Sequence, residues 1–385
     1  MAGIYIHIPF CKQACHYCDF HFSTSVKNKT QLLEALVQEI HLRHTDWQDE
    51  PIETIYFGGG TPSVLTVEEL NLILDAVHHN FQVIEKPEIT LEANPDDLSP
   101  DYLLALSQTK INRLSIGIQS FFDADLQLMN RAHHAEQAKQ SLALATTYFD
   151  NITVDLIFGI PNMTKENWLQ NIETALSFGI PHLSCYALTV EPKTALQRFI
   201  QNGQVPPLDE ALAASHFNVL VEVLEAHGFV HYELSNFGKP NYFSRNNSSY
   251  WLGKKYLGIG PSAHSFDGHS RSWNVSNNAK YIKAIQSQEL PSESEILSLN
   301  DRYNEYIMTG LRTIWGVSFA RVETEFGATY LQYLNKQIQS HLQTGVLKIE
   351  DGILTTTAKG KFLGDGIAAD LFVINSLKLE AGRWK

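Results

Sequence analysis

The sequence predicts an α/β fold, in which an open, partial and TIM-like (β/α)6 barrel is followed by a smaller, mainly helical and winged-helix-like domain. Along the first half of the chain, short β-rich segments alternate with amphipathic helical segments, which is the pattern of a parallel sheet flanked by helices. Six such units are fewer than the eight of a closed barrel, so we expect a wide lateral mouth.

Each predicted strand is a short run rich in β-branched and aromatic residues. The six strands are predicted at 3–9, 53–57, 88–92, 113–119, 152–158 and 182–188. Between them, apolar residues recur at the spacing of one helical face, as in Leu33, Leu36, Val37 and Ile40, and in Leu70, Ile73, Leu74 and Val77. Helix starts are predicted by a capping-box pattern at Thr66 and Glu69, and by Ser99 before Pro100.

The pattern divides the chain into three parts, namely a barrel at 1–235, a connecting or lid region at 236–299 and a C-terminal domain at 300–385. The middle part is rich in aromatic residues and glycine, and we expect irregular loops there that cover the barrel mouth. In the last part, helices are predicted at 301–313, 318–326 and 329–344, followed by a hairpin whose turn is Asp351-Gly352. Helices followed by a hairpin resemble a winged-helix module, which we expect to serve as a docking or lid element.

Composition excludes some classes of function. The formal net charge is −13, which argues against a nucleic-acid partner. No apolar run approaches the length of a membrane span. With four cysteines in 385 residues and no apolar signal segment after Met1, we expect a cytoplasmic protein whose thiols are reduced.

Three of the four cysteines lie together, directly after the first predicted strand. Cys11, Cys15 and Cys18 have C-x3-C-x2-C spacing, which allows a loop to hold an iron–sulfur cube through three cysteines and leaves the fourth iron open for a ligand. The alternative is a zinc site. Its fourth ligand would come from His7, His16, His21 or Cys185. Cys185 itself lies in an apolar predicted strand, which favours a small buried hydrophobic residue.

Polar or glycine-rich groups end the later strands, where a βα fold collects its active site. They are the run Gly58-Gly59-Gly60, Glu92, Gln119 and Asp155. Glycines let a ligand approach the backbone closely, and a carboxylate can accept hydrogen bonds from two ribose hydroxyls. Arg131 supplies a fork for a ligand carboxylate. Taken singly, each group has a structural alternative, such as a tight turn for the glycines or a solvated strand end for Gln119.

The resemblance to a known family extends over nearly the whole chain. It rests on YIHIPFCKQACHYCDF, YFGGGTPS, EANP, GIQSF, NRAH, VDLIFGIP and YALTVEPKT, in that order. These strings resemble the branch of the radical S-adenosylmethionine (SAM) superfamily that contains oxygen-independent coproporphyrinogen III dehydrogenases and HemW-type heme chaperones. The resemblance implies a radical SAM barrel, a [4Fe-4S] cluster on the three cysteines, and SAM at its open iron. It further implies a SAM site lined by Tyr5, Tyr17, Gly59, Gly60, Thr61, Glu92, Gln119, Arg131 and Asp155.

Two features separate the subfamilies. Dehydrogenase-type sequences resemble one another in a further cysteine two residues after the third and in a longer N-terminal extension. Here Phe20 takes the place of that cysteine, and the first predicted strand begins almost at Met1. The resemblance therefore implies a heme chaperone that delivers heme to respiratory proteins, without coproporphyrinogen III dehydrogenase activity. The alternatives are that dehydrogenase, which converts propionates to vinyl groups, and a zinc-stabilised winged-helix binding protein.

One departure from the HemW-type pattern concerns heme. HemW-type chains resemble one another in an H-N-x-x-Y-W string, and here Asn246 stands in the place of the histidine, although a neutral amide is a poor ligand for heme iron. His264 is the replacement that we predict to bind heme, and His231 is a second candidate. For each of them a hydrogen-bonded structural histidine is the alternative.

The implied partners are heme, a respiratory heme-protein acceptor and an electron donor such as a flavodoxin or ferredoxin. Peripheral association with a membrane and a homodimer are compatible with the resemblance. The sequence contains no amphipathic basic helix that would explain membrane association.

Overall fold

Six parallel strands form the centre of the structure, which is a computed structural model that describes residues 1–374. They are β1 (Ala2–Ile8), β2 (Ile52–Gly59), β3 (Val83–Ala93), β4 (Arg113–Gln119), β5 (Ile152–Phe158) and β6 (His182–Ala187). The strands lie side by side in chain order, each parallel to the next. All six predicted strands are confirmed, although β3 begins earlier than predicted, at Val83.

Both edges of this parallel sheet are extended by shorter strands. They are β7 (Val230–His231), β8 (Asn236–Gly238), β9 (Tyr256–Ile259), β10 (His264–Phe266), β11 (Ser270–Asn274) and β12 (Ser292–Ile296). The order in the sheet is β12-β11-β10-β9-β1-β2-β3-β4-β5-β6-β8-β7. β9 is parallel to β1, and the other added strands pair in antiparallel fashion.

The prediction of irregular loops after residue 236 was therefore wrong, because four of these strands continue the sheet beyond β1. Glycine caused the error. A Cβ at Gly258 would lie 2.1 Å from the backbone oxygen of His264, so glycine there allows β9 and β10 to come together. Glycine is common both in loops and where two strands pack closely, so the glycine-rich composition did not distinguish the two.

Helices lie along the chain between the strands. Up to residue 286 they are α1 (Lys29–Trp47), α2 (Val67–Asn80), α3 (Pro100–Leu106), α4 (Asp123–Leu128), α5 (Ala135–Ala145), α6 (Lys165–Ser177), α7 (Ala195–Gln201), α8 (Glu210–Ala226), α9 (Arg245–Trp251) and α10 (Asn278–Gln286). The capping box before α2 is present, since Glu69 N–H donates to Thr66 Oγ1 at 3.3 Å and Thr66 N–H donates to Glu69 Oε2 at 2.8 Å. Ser99 caps α3 as predicted.

Alternation along the strands decides which side chains reach the barrel interior. In β1, Ile4, Ile6 and Ile8 are buried in the core that includes the apolar faces of α1 and α2. Tyr5 and His7 point to the opposite face, because successive side chains of a strand alternate. The polar groups of the neighbouring strands share that inner face, where Tyr5 stacks on Tyr56 with a ring separation of 6.1 Å.

The C-terminal part has its own core, formed by residues between Tyr303 and Val373. Its elements are α11 (Leu299–Leu311), β13 (Val317–Ser318), α12 (Phe319–Phe326), α13 (Ala328–Gln337), α14 (Gln339–Gln343), β14 (Leu347–Glu350), β15 (Ile353–Thr356) and α15 (Gly364–Asp370). The predicted hairpin is present, and both turn residues, Asp351 and Gly352, have positive φ (50° and 76°), as a tight two-residue turn requires. The helix predicted at 329–344 is divided into α13 and α14.

Candidate functional site

The three cysteines lie on one loop that leaves the C-terminal end of β1. Where the loop begins, Cys11 N–H donates to the Ser23 carbonyl at 3.0 Å, and Ser23 N–H donates to the Pro9 carbonyl at 2.8 Å. These two bonds close the base of the loop. The cysteines are therefore held at the edge of the sheet where the other strand ends also lie.

The far side of the loop is fixed by the end of α4. His16 N–H donates to the Met129 carbonyl at 3.0 Å, and His16 Nδ1 lies 2.8 Å from the Leu128 carbonyl. Asn130, which has a φ of 58°, donates through Nδ2 to the Ala14 carbonyl at 2.7 Å. Backbone and side-chain bonds thus hold the loop on both sides, and the protein itself fixes the position of the thiols.

All three loop thiols are partly exposed, whereas Cys185 in β6 is 2% exposed, in keeping with its interpretation as a buried hydrophobic residue. Thr61 Oγ1 donates to Cys11 Sγ at 3.5 Å, and Arg131 Nη1 donates to Cys15 Sγ at 3.3 Å. Burial, with a smaller contribution from the neighbouring thiols, raises the pKa of Cys18 to about 11. Bound iron favours the thiolate form of such clustered thiols, so the donor set fits a metal centre.

The imidazoles that a zinc site would need have other partners. His7 contacts the His21 carbonyl through Nε2 at 2.9 Å and the Tyr5 hydroxyl through Nδ1 at 3.2 Å. His21 Nε2 contacts Asn278 Oδ1 at 2.7 Å. Within residues 1–374, no three His, Cys, Asp or Glu side chains gather closely enough to hold a single ion. That observation concerns a single-ion site, since the three cysteines of a cube bind separate irons.

Glu92 lies beside the glycine run at the end of β2. Its carboxylate accepts from the Tyr56 hydroxyl at 2.8 Å and from Gly59 N–H at 3.3 Å. Burial raises the pKa of Glu92 to about 7, although both of these hydrogen bonds lower it. The structure thus gathers a carboxylate, a phenol and a backbone N–H at one strand end.

Asp155 is a second buried carboxyl on the inner face of the sheet. Ser115 on the adjacent β4 donates to both of its oxygens at 3.3 Å. Burial raises the pKa of Asp155 to about 6, against the hydrogen bonds from Ser184 and Ser115. The charge of Asp155 is close enough to contribute to the raised pKa of Glu92, so the two carboxyls belong to one site.

Arg131 joins the cysteine loop to the ends of the strands. Besides Cys15, it donates through Nη2 to Asn94 Oδ1 at 2.7 Å and to the Gly117 carbonyl at 2.8 Å. Burial lowers the pKa of Arg131, but the nearby Tyr17 and Cys15 raise it by more, so the guanidinium stays charged. Burial raises the pKa of the Tyr17 hydroxyl, which lies near both Arg131 and Cys15.

Glycine is required where the backbone passes under the cysteine loop. A Cβ at Gly60 would lie 2.7 Å from the Phe10 carbonyl oxygen and 3.0 Å from Cys11 Sγ. Gly59 has a φ of 112°, and Gln119 at the end of β4 also has a positive φ, 67°. The strand ends are therefore shaped for a close approach to the loop.

The structure brings together most of the predicted site residues. Around the loop and the strand ends lie Tyr5, Tyr17, Gly59, Gly60, Thr61, Glu92, Gln119, Arg131 and Asp155. Tyr56, Asn94, Ser115 and Tyr186 were missed, and His7 was named only for the alternative zinc site. The two-residue period would have found His7 from Tyr5 and Tyr56 from the glycine run, and Asn94 lies just beyond β3, two residues after Glu92, whereas Ser115 and Tyr186 had no such signal.

Neither candidate heme-binding histidine makes a hydrogen bond to this centre within the described residues. His231 is buried, stacked on Phe237 at 4.1 Å, and its Nδ1 lies 3.0 Å from Lys361 Nζ. Its other nitrogen contacts the Leu234 carbonyl at 3.2 Å, which is the structural role named as the alternative. His264 is exposed on β10. Its assignment to heme stays a prediction.

Asn246 is buried at the start of α9. Thr54 Oγ1 donates to its side-chain oxygen at 3.0 Å, and its backbone N–H donates to Glu88 Oε1 at 2.9 Å. Asn246 thus joins α9 to β2 through its side chain and to β3 through its backbone N–H. Phe20, in contrast, is 69% exposed beside the cysteine loop.

Glu233 lies at the other edge of the parallel strands, in the turn between β7 and β8. It is 2% exposed, and its Oε1 has no hydrogen-bond partner within the described structure. Burial raises its pKa to about 7, against hydrogen bonds from Ser235 and Asn236 and the charge of Arg312. A carboxyl in this state titrates near neutral pH.

Replacing Glu233 by glutamine is expected to flatten the pH dependence of stability of the cluster-free protein. The folded state keeps the proton of Glu233 in a pH range in which the unfolded state, with a pKa near 4.5, has released it. As the pH rises through that range, the free energy of unfolding of the wild type falls by up to about 3 kcal/mol for this group. The neutral amide has no proton to retain and so lacks this loss.

Urea unfolding at about pH 5 and about pH 8 measures the effect. The glutamine variant should gain stability relative to the wild type at the higher pH. Glu92 and Asp155 contribute the same pH dependence of the free energy of unfolding to both proteins, so their contributions cancel when the two proteins are compared. An equal difference between the two proteins at both pH values would contradict the prediction.

Comparisons with known proteins bear on this site. The family model of the radical SAM superfamily matches residues 5–191, which include the end of β1, the cysteine loop and strands β2 to β6. The model of the HemN C-terminal domain matches residues 297–363, in the helical part. The fold and the loop at its strand ends define a radical SAM protein.

Relatives extend the match along the chain. The heme chaperone HemW of Bacillus subtilis is 33% identical over 373 residues, covering 95% of this chain and 98% of the relative. The heme chaperone HemW of Lactococcus lactis is 32% identical, with coverage of 94% and 95%. The chain therefore belongs to the HemW family.

The solved structure of coproporphyrinogen III oxidase (HemN) from Escherichia coli, a radical SAM enzyme, has the same fold. It superposes with a TM-score of 0.84, covering 97% of this chain and 90% of that one, at 23% sequence identity. This confirms the predicted fold class, including the helical C-terminal part.

Proposed function

We propose that this protein is a heme chaperone that holds a SAM-coordinated [4Fe-4S] cluster and delivers heme to respiratory heme proteins. The observation that carries the proposal is the match over nearly the whole chain to curated proteins named heme chaperone HemW. The loop geometry supports the cluster, because Cys11, Cys15 and Cys18 lie together at the strand ends with hydrogen-bond donors to two of their sulfurs.

The chain's own residues suit SAM at the open iron. Arg131 offers a guanidinium beside Cys15 for the SAM carboxylate. Glu92 and Asp155 offer carboxylates for ribose hydroxyls and for the positive charge of the ligand, which would favour their ionised forms. When bound, the cluster would supply an open iron site and an electron for the SAM sulfonium.

The proposed function requires two protein partners. An electron donor such as a flavodoxin or ferredoxin would reduce the cluster, and a respiratory heme protein would accept the heme. We propose a cytoplasmic protein, and both peripheral contact with a membrane and a homodimer are compatible with this function. Among residues 1–374, no helix is both long and apolar enough to cross a membrane.

The function is tested with protein reconstituted anaerobically with iron and sulfide. We expect about four irons and four sulfides per chain, as one cube requires. Titration with heme, followed at the Soret band and then by gel filtration, should show retained heme near one per chain. Transfer is then measured to a heme-free respiratory cytochrome.

The same preparation separates the chaperone from the dehydrogenase. Anaerobic incubation with coproporphyrinogen III, SAM and a reductant should give no vinyl product. Loss of all heme on the column, together with formation of protoporphyrinogen IX, would overturn the chaperone and assign the dehydrogenase activity instead.

A further inference from the structure

A cavity of about 410 Å³ lies where the barrel mouth, the strands beyond β1 and the C-terminal part meet. Tyr186 reaches it from β6, Tyr250 from α9, Phe266 from β10 and Tyr306 from α11. Tyr186 lines this cavity, and 44% of its surface is exposed. The volume is typical of a small-molecule site.

Aromatic side chains form much of the cavity wall. Tyr250 packs edge-on against Tyr256 with a ring separation of 4.7 Å, and Tyr256 lies against Phe266 at 6.1 Å. Trp251 adds a further ring. Such walls favour a ligand with a large apolar and aromatic body.

Three arginines also line the cavity. Arg271 pairs with Glu305 at 2.9 Å, and Arg321 pairs with Glu325 at 2.8 Å. Arg302, also on α11, has no ion-pair partner within the described part of the chain. Arg271 Nε is buried and has no hydrogen-bond partner there. The Arg302 guanidinium is thus left for a ligand, and a ligand carboxylate can compete with Glu305 for Arg271.

We propose that this cavity binds heme, with the aromatic walls against the macrocycle and the guanidinium groups of Arg271 and Arg302 on its propionate carboxylates. The identity of the ligand rests on the proposed function. Its location rests on the lining of the cavity. The guanidinium groups of Arg271 and Arg302 in the cavity lining match acidic groups, and the aromatic walls match the rest of a carboxylate-bearing tetrapyrrole.

No histidine lines the cavity in the described part of the chain, and the predicted His264 lies outside it, so the cavity recognises the periphery of the macrocycle and not its iron. Position 246 does not supply a ligand, since the Asn246 amide bonds to Thr54 on β2. The next residues of α9 do reach the cavity, through Asn247, Tyr250 and Trp251. Affinity therefore comes from carboxylates and ring packing.

Glu305 makes the assignment testable in both directions. It holds Arg271 in an ion pair, and a propionate would compete with it for that guanidinium. Removing the arginine donors should weaken heme binding, whereas removing the charge of Glu305 should strengthen it. A purely structural ion pair predicts no such opposite response.

The experiment measures the dissociation constant of heme by anaerobic titration of the cluster-loaded full chain. The double variant Arg271→Gln, Arg302→Gln should bind heme about tenfold more weakly, and Glu305→Gln about threefold more tightly. Arg198→Gln is the matched control, because Arg198 lies on α7, outside the cavity lining. It should bind within about twofold of the wild type.

A second comparison uses the wild type alone and so does not depend on the folding of a variant. Heme dimethyl ester, whose carboxylates are blocked, should bind about tenfold more weakly than heme. Equal affinity for heme and its ester, or unchanged affinity in the double variant, would overturn the cavity assignment while leaving the chaperone intact. Tighter binding of coproporphyrinogen III than of heme would assign the cavity to that tetrapyrrole and overturn the assignment to heme. Absence of any heme binding by the wild type would overturn the proposed function, and this assignment with it.

Discussion

Replacing Cys15 by serine is expected to abolish retention of the iron–sulfur cluster. Iron and sulfide after anaerobic reconstitution should fall from about four each per chain to near zero, because two thiols remain for a cube that needs three from this loop. Cys15 is central to the loop, where Arg131 donates to its sulfur at 3.3 Å. Iron and sulfide analysis, together with the visible absorption of the cluster, measures the loss.

Cys185→Ala is the matched control. Cys185 is buried in β6, remote from the loop in sequence, so its replacement removes one sulfur atom from the core. We expect a loss of stability of about 1 kcal/mol and a full complement of iron and sulfide. Retention of the cluster by the Cys15 variant, or its loss in the Cys185 variant, would contradict the assignment of the loop.

Replacing Arg131 by methionine is expected to weaken SAM binding about a hundredfold in cluster-loaded protein. The substitution keeps an unbranched side chain but removes the donors that Arg131 directs to Cys15, Asn94 and the Gly117 carbonyl. It also removes the charge proposed to meet the SAM carboxylate. Anaerobic equilibrium dialysis with labelled SAM measures the change.

Two further variants make this result specific. Arg131→Lys keeps the charge but loses the planar fork, so we expect an intermediate affinity. Arg198→Met changes an arginine on α7 and should leave the affinity unchanged. Iron content is measured in each variant. If the Arg131→Met variant bound SAM as well as the wild type with its cluster intact, Arg131 would be excluded from the site.

The central parallel sheet was predictable because each of its strands is specified by a short stretch of neighbouring residues. Each parallel strand is a short apolar run, and Gly59 and Glu92 follow from the rule that parallel strands present their ends at one edge, whereas Asp155 lies in the middle of β5 and interrupts its apolar run. Tyr56 and Asn94 required the alternation within those strands to be followed as well. Patterns within single strands were therefore sufficient to predict the central sheet and most of the residues at its strand ends.

The rest depends on contacts between distant parts of the chain. The pairing of β9 with β1 joins residues about 250 apart, and no local pattern specifies it. The cavity likewise combines Tyr186 of the barrel with Arg302 of α11. The structural roles of His231 and Asn246 arise from partners, Lys361 and Thr54, that lie far from them in sequence.

The position of β1 has a consequence for synthesis of the protein. β1 precedes every other strand of the sheet along the chain, yet one of its two neighbours, β9, comes much later, at Tyr256–Ile259. A nascent chain emerging from the ribosome therefore carries an exposed apolar strand edge, next to three reduced thiols, until about two thirds of it has been made. The bonds that anchor the cysteine loop in the site described above join residues 9–131, so these anchors are made well before the strand that completes the sheet beside β1.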